Sequence, residues 1–408
     1  MSDSFRISAP TTPLRGTVQL PASKSESNRM LILRALSQNA IEVDNLSEAR
    51  DTQTLIRLLA AQPERMDVGH AGTAMRFLTA YLSFLPRDHE LTGSARMQQR
   101  PIGLLVDALR ALGADIHYLR NEGYPPLMIF GRSAHFRDER ICIPGNVSSQ
   151  YISALLMIAP NLPSGLQIDI EGTIGSRPYI EMTLGLMARF GARYTWEGPS
   201  IRVEKGLYGR GRYTVESDWS AASYWYAMVA MAEEAEIELP GLRRNSLQGD
   251  HVVAELMAPL GVATEFTPTG VVLRKRKVVL PAAVDWDFRD CPDLAQGLLP
   301  VLSVLGIAGR FTGLESLRIK ETDRIAALQN ELGKFGMELL EADGRWLLSG
   351  DFRPAPASIP TYEDHRMAMA FAPLALASPD LQIEEAGVVV KSYPRYWDDL
   401  RSVGFRVE

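Results

Sequence analysis

Five amphipathic helical patterns, at residues 105–113, 184–191, 252–261, 325–336 and 400–404, each end on a glycine and pass at once into an apolar or alternating segment. These glycines, Gly113, Gly191, Gly261, Gly336 and Gly404, stand 78, 70, 75 and 68 residues apart. No local motif constrains the fold as much, because the spacing describes one unit of about 70 residues copied along the chain. At 408 residues the chain holds about six such units. A glycine past the last helical residue lacks the Cβ that would clash in the left-handed conformation, so it stops the helix and turns the chain into a strand. Gly113-Ala114-Asp115-Ile116-His117-Tyr118 has this form. The unit therefore mixes helix and strand, and the fold class expected is α/β (α+β). A first copy uses the helical stretch 51–61, closed by Pro63 and without the glycine.

Apolar residues make up 46% and charged residues 23%, which is globular composition. A formal charge of −6 argues against a nucleic-acid binder, which needs a broad basic surface. Cys142 and Cys291 have neither a CxxC partner nor a cluster of histidines, so neither a disulfide framework nor a metal site is expected. Residues 1–10 carry no apolar or Arg-rich leader, and the longest apolar run, 367–377, is too short to span a bilayer. These features describe a cytoplasmic protein that does not enter membranes. Two segments, 21–29 and 216–220, serve as crossings. They divide the chain into a continuous domain, 22–217, and a discontinuous one, 1–21 plus 218–408, with the ligand site expected in a cleft between them.

The chemistry-bearing residues gather at junctions between apolar elements. Lys320-Glu321-Thr322-Asp323-Arg324 places four charges between an apolar stretch, 311–319, read as a strand, and an amphipathic helix. A helix start favours anions. A carboxylate kept beside an anion site repels the ligand unless it moves a proton, although a solvated N-cap explains the run in isolation. Lys24, Ser25, Asn28 and Arg29 precede an apolar helix at 30–36. Gly69-His70-Ala71-Gly72-Thr73-Ala74-Met75-Arg76 offers small residues at another helix start and lacks the GK[ST] ending of a nucleotide-triphosphate loop. Arg100, Ser148-Ser149-Gln150-Tyr151 and Ser176-Arg177-Pro178-Tyr179 lie ahead of three more helices. Asp293 precedes an apolar segment, Asp364-His365-Arg366 forms a charged turn, and Lys391 follows an apolar strand at 388–390. Several cations together with Asp293, Glu321 and His365 suit an anionic substrate undergoing proton transfer without a metal.

At these residues the chain resembles the 5-enolpyruvylshikimate-3-phosphate synthase family, the shikimate-pathway 1-carboxyvinyltransferases. The likeness runs in order over nearly the whole length, through Ala71-Gly72-Thr73-Ala74-Met75-Arg76, Arg100-Pro101-Ile102, Ser148-Ser149-Gln150-Tyr151, Lys320-Glu321-Thr322-Asp323-Arg324 and Asp364-His365-Arg366-Met367-Ala368-Met369. The resemblance implies two similar globular domains of the enolpyruvyl transferase fold. Each has three βαβαββ units about a pseudo-threefold axis, with the active site in the interdomain cleft. It implies transfer of the enolpyruvyl group of phosphoenolpyruvate to the 5-hydroxyl of shikimate 3-phosphate, through a tetrahedral intermediate with release of phosphate. No cofactor is implied, and the chain is expected to act as a monomer. Lys24, Ser25, Arg29, Ser148, Ser149, Gln150, Ser176, Tyr179, Asp293, Ser316 and Lys320 would hold shikimate 3-phosphate. Lys24, His70, Gly72, Arg100, Gln150, Arg324, Arg366 and Lys391 would hold phosphoenolpyruvate. Asp293 would take the proton of the attacking hydroxyl and Glu321 would work at the methylene carbon, with Lys24, His365 and Lys391 supporting the intermediate. Thr322 or Asp323 is left to cap the helix.

Four positions depart from the family pattern: His70 where Asn is usual, Asn28 where His is usual, Ser316 where Asn is common, and Phe77 where Pro is frequent. His70 matters most, since an imidazole beside phosphoenolpyruvate can gain charge near neutral pH. The nearest rival is the UDP-N-acetylglucosamine enolpyruvyltransferase, which shares the repeats and the donor. Its reactive cysteine before the Arg-Pro motif has no counterpart in residues 91–100. A non-catalytic anion-binding regulator on the same scaffold is the other, and it gives no reason for Asp293 and Glu321.

Overall fold

The computed structural model describes residues 4–137, 139–145 and 148–408. The chain divides into two compact units, Met1–Pro21 with Glu216–Glu408, and Ala22–Val215. Glu216 and Ser217, which the sequence reading leaves with the continuous half, fall with the other. The reason is local: the Glu216 carboxylate accepts from Trp219 Nε1 at 2.8 Å, Arg243 N at 2.7 Å and Ser246 Oγ at 2.7 Å, all within the discontinuous unit.

In the unit 22–215, strands Arg65–Asp67 and Asp88–Thr92 pair in parallel, joined by helix Gly72–Phe84. Helix Gly103–Leu112 follows, and the hairpin of Ile116–Tyr118 and Leu127–Phe130 lies antiparallel on Asp88–Thr92. Parallel neighbours need such a crossover, whereas antiparallel ones need only a short turn. The same βαβαββ order recurs from Arg140–Pro144 to Ser200–Val203. The third copy is abbreviated. Ile41–Asp44 pairs in parallel with Gly211–Thr214, and among the described residues this sheet has only those two strands.

Among the described residues, the discontinuous unit holds three complete four-stranded sheets. Two of them borrow a strand from the N-terminal segment: Leu14–Thr17 runs parallel to Ala235–Pro240, and Phe5–Ser8 lies antiparallel between Leu381–Ile383 and Arg406–Val407. The third runs from Ala283–Asp287 to Arg345–Gly350.

All five spaced glycines have positive φ, between 77° and 105°, and a strand follows each. In the abbreviated copy the left-handed stop is Gln62, with φ of 41°, at the end of helix Arg50–Ala61. The strand after it, Arg65–Asp67, opens the next repeat instead of a hairpin, so the missing glycine and the missing hairpin coincide. The pattern at 252–261 is not one helix: Val253–Met257 is flanked by 3-10 turns Gly249–Val252 and Ala258–Leu260. Pro259, which cannot donate a helical hydrogen bond, stands in the second of these turns.

The first helix of each repeat is buried nearly all round, as expected of a helix with apolar residues on every face. Trp219–Met231, Pro292–Val304 and His365–Phe371 are of this kind in one unit, where the middle one packs on both others. Lys24–Leu36, Gly72–Phe84 and Ser149–Ile158 pack on one another in the other. The second helix of a repeat, such as Gly103–Leu112, buries only one stripe. Among the described residues no helix is long and apolar enough to cross a membrane.

Candidate active site

Several of the residues singled out in the sequence sit at the starts of helices. Lys24 opens its helix instead of preceding it, with Ser23 Oγ accepting from Glu26 N; Gly72, Ser149 and His365 are likewise first helical residues. Asp323 is the cap of helix Arg324–Gly333, accepting from Ala326 N at 3.1 Å, and Asp364 caps His365–Phe371 through Arg366 N at 2.9 Å. Unpaired N–H groups and the helix dipole make each such start favourable to anions. Two stretches differ from the reading. Of the apolar run 311–319 only residues 311–312 are strand, the end of Ala308–Thr312, and Ser316 lies in a 3-10 turn, Glu315–Ile319, which carries Lys320 out of the sheet. Residues 388–390 are not a strand but part of another 3-10 turn, Ala386–Lys391, because the chain has already left the strand Leu381–Ile383.

In the discontinuous unit, the starts of three helices, Pro292–Val304, Arg324–Gly333 and His365–Phe371, bring one charge cluster together. Arg324, only 2% exposed, donates from Nε to Asp364 at 2.7 Å, from Nη1 to Asp293 at 2.9 Å and from Nη2 to Glu321 at 2.8 Å. Arg366 Nη2 reaches the other Asp293 oxygen at 3.0 Å, and Lys320 Nζ lies 3.5 Å from Asp293. Burial pushes the Asp293 carboxyl up, but Arg366, Lys320 and Arg324 outweigh it and hold the group well below the usual carboxylate range. Burial likewise opposes the charge on Arg324, and Asp364, Glu321 and Asp293 more than restore it. Tyr224, whose hydroxyl accepts from Arg366 Nη1 at 3.4 Å, is pushed up to about 12 by burial and so stays a neutral phenol. His365 is buried with Nδ1 3.6 Å from Asp364. Lys391 Nζ donates to the carbonyl of Glu363, which with Tyr362 adopts left-handed φ just before the Asp364 cap.

In the other unit, Gly72 is where two cations converge. A Cβ on it would lie 2.7 Å from Arg100 Nη1 and 2.8 Å from Arg76 Nη1. Arg76 is buried and donates to the carbonyls of Gly72 and Pro101. Gln150 Nε2 donates to Thr73 Oγ1 at 3.2 Å, tying the Ser148-Ser149-Gln150 turn to the same helix start. Ser148 is exposed and caps its helix through Gln150 N, whereas Ser149 is buried. Lys24 Nζ lies 3.5 Å from Asp51. Ser176 has left-handed φ of 53° at the start of Arg177–Arg189, and Tyr179 is half-buried one turn on. His70 is exposed, with Nδ1 3.2 Å from Ser94 Oγ.

Arg29 is placed differently from a solvent-facing anion ligand. It is 2% exposed and donates to Thr183 Oγ1 at 2.7 Å, Ser153 Oγ at 3.1 Å and the carbonyls of Ser25 and Tyr179 at 3.0 and 3.3 Å. Burial lowers its pKa to about 10, which leaves it cationic at neutral pH. The Phe77 ring lies 5.4 Å from its guanidinium, so the aromatic departure at 77 has a packing partner. Asn28 is buried with neither amide atom hydrogen-bonded among the described residues, and nothing in the structure explains it.

The profile of the family described as EPSP synthase (3-phosphoshikimate 1-carboxyvinyltransferase) matches residues 8–63 and 56–400. The 3-phosphoshikimate 1-carboxyvinyltransferase of Bacteroides fragilis is 53% identical over 99% of this chain and 98% of its own. The chain belongs to the EPSP synthase family. A more distant member, from Aliivibrio fischeri, is 34% identical over 97% of this chain and 98% of its own. The solved structure of EPSP synthase from Acinetobacter baumannii superposes with a TM-score of 0.80 over 99% of each chain at 21% identity, so the fold is that of an EPSP synthase. As a member of this family the chain is a transferase of the shikimate pathway.

Sequence reading missed Asp364 as the third carboxylate on Arg324, although the residue stands inside a motif already singled out. Tyr224 and Ser220, whose hydroxyl oxygens both accept from Arg366, carried no local signal, because both lie in an aromatic and small-residue helix that reads as core.

Proposed function

We propose that the protein transfers the enolpyruvyl group of phosphoenolpyruvate to the 5-hydroxyl of shikimate 3-phosphate, and that the residue sets of both units serve that one reaction. The observation that carries the reading is Arg324 held among Asp293, Glu321 and Asp364, with Lys320 and Arg366 alongside. A binder of polyanions gains nothing from three carboxylates around its buried cation, whereas an addition–elimination needs carboxylates that exchange protons.

In this reading Arg324, Arg366, Lys391 and Lys24, with Arg100, His70 and Gln150 near the backbone of Gly72, take the carboxylate and phosphate of phosphoenolpyruvate. Lys320, Ser316, Ser148, Ser149, Ser176, Tyr179 and Ser25 take shikimate 3-phosphate, and Arg29 fixes Ser25 and Tyr179 by bonding their carbonyls. Without substrate, Asp293 is an ionised carboxylate neutralised by three cations. An incoming dianion competes for those cations, which raises the basicity of Asp293 when a base is needed. Asp293 then accepts the proton of the 5-hydroxyl as its oxygen bonds to C2 of phosphoenolpyruvate. The methylene gains a proton from Glu321 to become a methyl group. Elimination returns a methyl proton to Glu321 and expels phosphate, which leaves with the proton held by Asp293 so that both carboxylates are restored, with His365, Lys391 and Lys24 beside the developing charge. We place the enzyme in the cytoplasm as a monomer; its two cysteines, Cys142 exposed and Cys291 buried, are both free.

The test is phosphate release from phosphoenolpyruvate with shikimate 3-phosphate, run beside UDP-N-acetylglucosamine. Turnover with the former alone supports the reading. Turnover with the latter alone, or binding without turnover by either, overturns it.

A further inference from the structure

Asp250 lies in the 3-10 turn Gly249–Val252, outside every motif so far given a role. It is 3% exposed, and its Oδ1 has no hydrogen-bond partner among the described residues. Its other oxygen accepts from Ser220 Oγ. Ser220, in the first turn of helix Trp219–Met231, also lies 3.4 Å from Arg366 Nη2, the same nitrogen that donates to Asp293. A buried carboxylate with one oxygen unsatisfied destabilises the fold, and a neutral side chain of the same shape would avoid that penalty. Such a group points to a function in the network it joins.

We propose that Asp250 is a positioning residue for the donor site: its negative charge fixes the direction of the Ser220 hydroxyl, and through it the orientation of Arg366. The inference rests on the assignment of Arg366 to phosphoenolpyruvate. An ionised Asp250 can only accept, so the Ser220 proton points at it and the Ser220 lone pairs face Arg366 Nη2. A protonated Asp250 can donate to Ser220 instead, which frees the serine proton to turn towards the guanidinium and removes an acceptor from it. Facing Asp250 are Asp293 and Asp218, which disfavour its charge, Arg366 and Ser220, which favour it, and the Cys291 thiol, which burial and the neighbouring carboxylates keep neutral. Burial, aided by Asp293, pushes its pKa up to about 6, so the change of state falls just below neutral pH.

The experiment measures kcat and the KM for phosphoenolpyruvate against pH for the wild-type enzyme, Asp250→Asn, Ser220→Ala and the double variant. Each single variant should raise KM about tenfold at pH 7.5 while changing kcat much less, and the double variant should be no worse than either single one. The wild-type KM should rise as pH falls through about 6 and lose that rise in Asp250→Asn. Ser220→Ala carries the test by itself if Asp250→Asn does not fold. Wild-type KM values in folded variants, additive effects in the double variant, or an unchanged pH profile would each overturn the inference while leaving the enzyme's reaction intact. Absence of wild-type turnover would overturn both.

Discussion

Gly72 and Asp293 show how much one position sets. At Gly72 a methyl group would meet the ends of two guanidinium groups, which are flexible and move aside at little cost to the fold. Gly72→Ala should therefore leave the melting temperature within a few degrees and raise the KM for phosphoenolpyruvate about tenfold or more, as the displaced cations bind the donor less well. Steady-state kinetics beside thermal unfolding check both halves. Asp293 is held below its ordinary range, so its ionised form is bound more tightly in the folded state than in the unfolded one. The stability it supplies is present above a pH of about 4 and lost as pH falls through the depressed folded value. Asp293→Asn should unfold at lower urea than the wild type at pH 7, with the gap closing as the solution is made more acid than pH of about 4. That Glu321, Arg324 and Asp293 would gather in one charged site was legible in their motifs, since charge density at helix starts needs a reason. The inward turn of Arg29 was not, because its partners Thr183 and Ser153 are some 120 to 150 residues away.

At the scale of elements, helix starts do two jobs at once. Asp323 caps the helix that begins with Arg324, and on its other side the run leads to Glu321 and Lys320. The capping and catalytic readings of this run are thus divided between neighbouring residues. Asp323→Ala should cost about 1 kcal/mol of stability, measurable by urea denaturation, and lower kcat only modestly, since its carboxylate is not among the groups on Arg324. Sequence reading placed the helices well but set their starts too late at Lys24 and Ser149, because polar first turns look like loops until the caps Ser23 and Ser148 are seen.

For the molecule as a whole, the glycine period foretold the number and kind of repeats, because a left-handed stop before a strand is a backbone requirement that few residues meet without strain. It marked the copy at 51–61 by its missing glycine, but it showed neither that Gln62 is the stop and the hairpin is absent nor that two sheets take strands from the N-terminal segment. Those strands, Phe5–Ser8 and Leu14–Thr17, pair with residues more than 200 positions away. Deleting residues 1–17 would strip a strand from each of two sheets, so the truncated chain should lose cooperative unfolding of the 216–408 unit. Circular dichroism during urea titration reads this directly. Asp293 and Glu321, both held on Arg324, are the groups proposed to move protons in enolpyruvyl transfer. The most direct measurement is kcat for phosphate release by Glu321→Gln with phosphoenolpyruvate and shikimate 3-phosphate, beside its thermal unfolding. The expected result is a loss of about 10² to 10⁴ in kcat in a variant that still folds; a folded variant with kcat near that of the wild type would show that Glu321 moves no proton in the reaction.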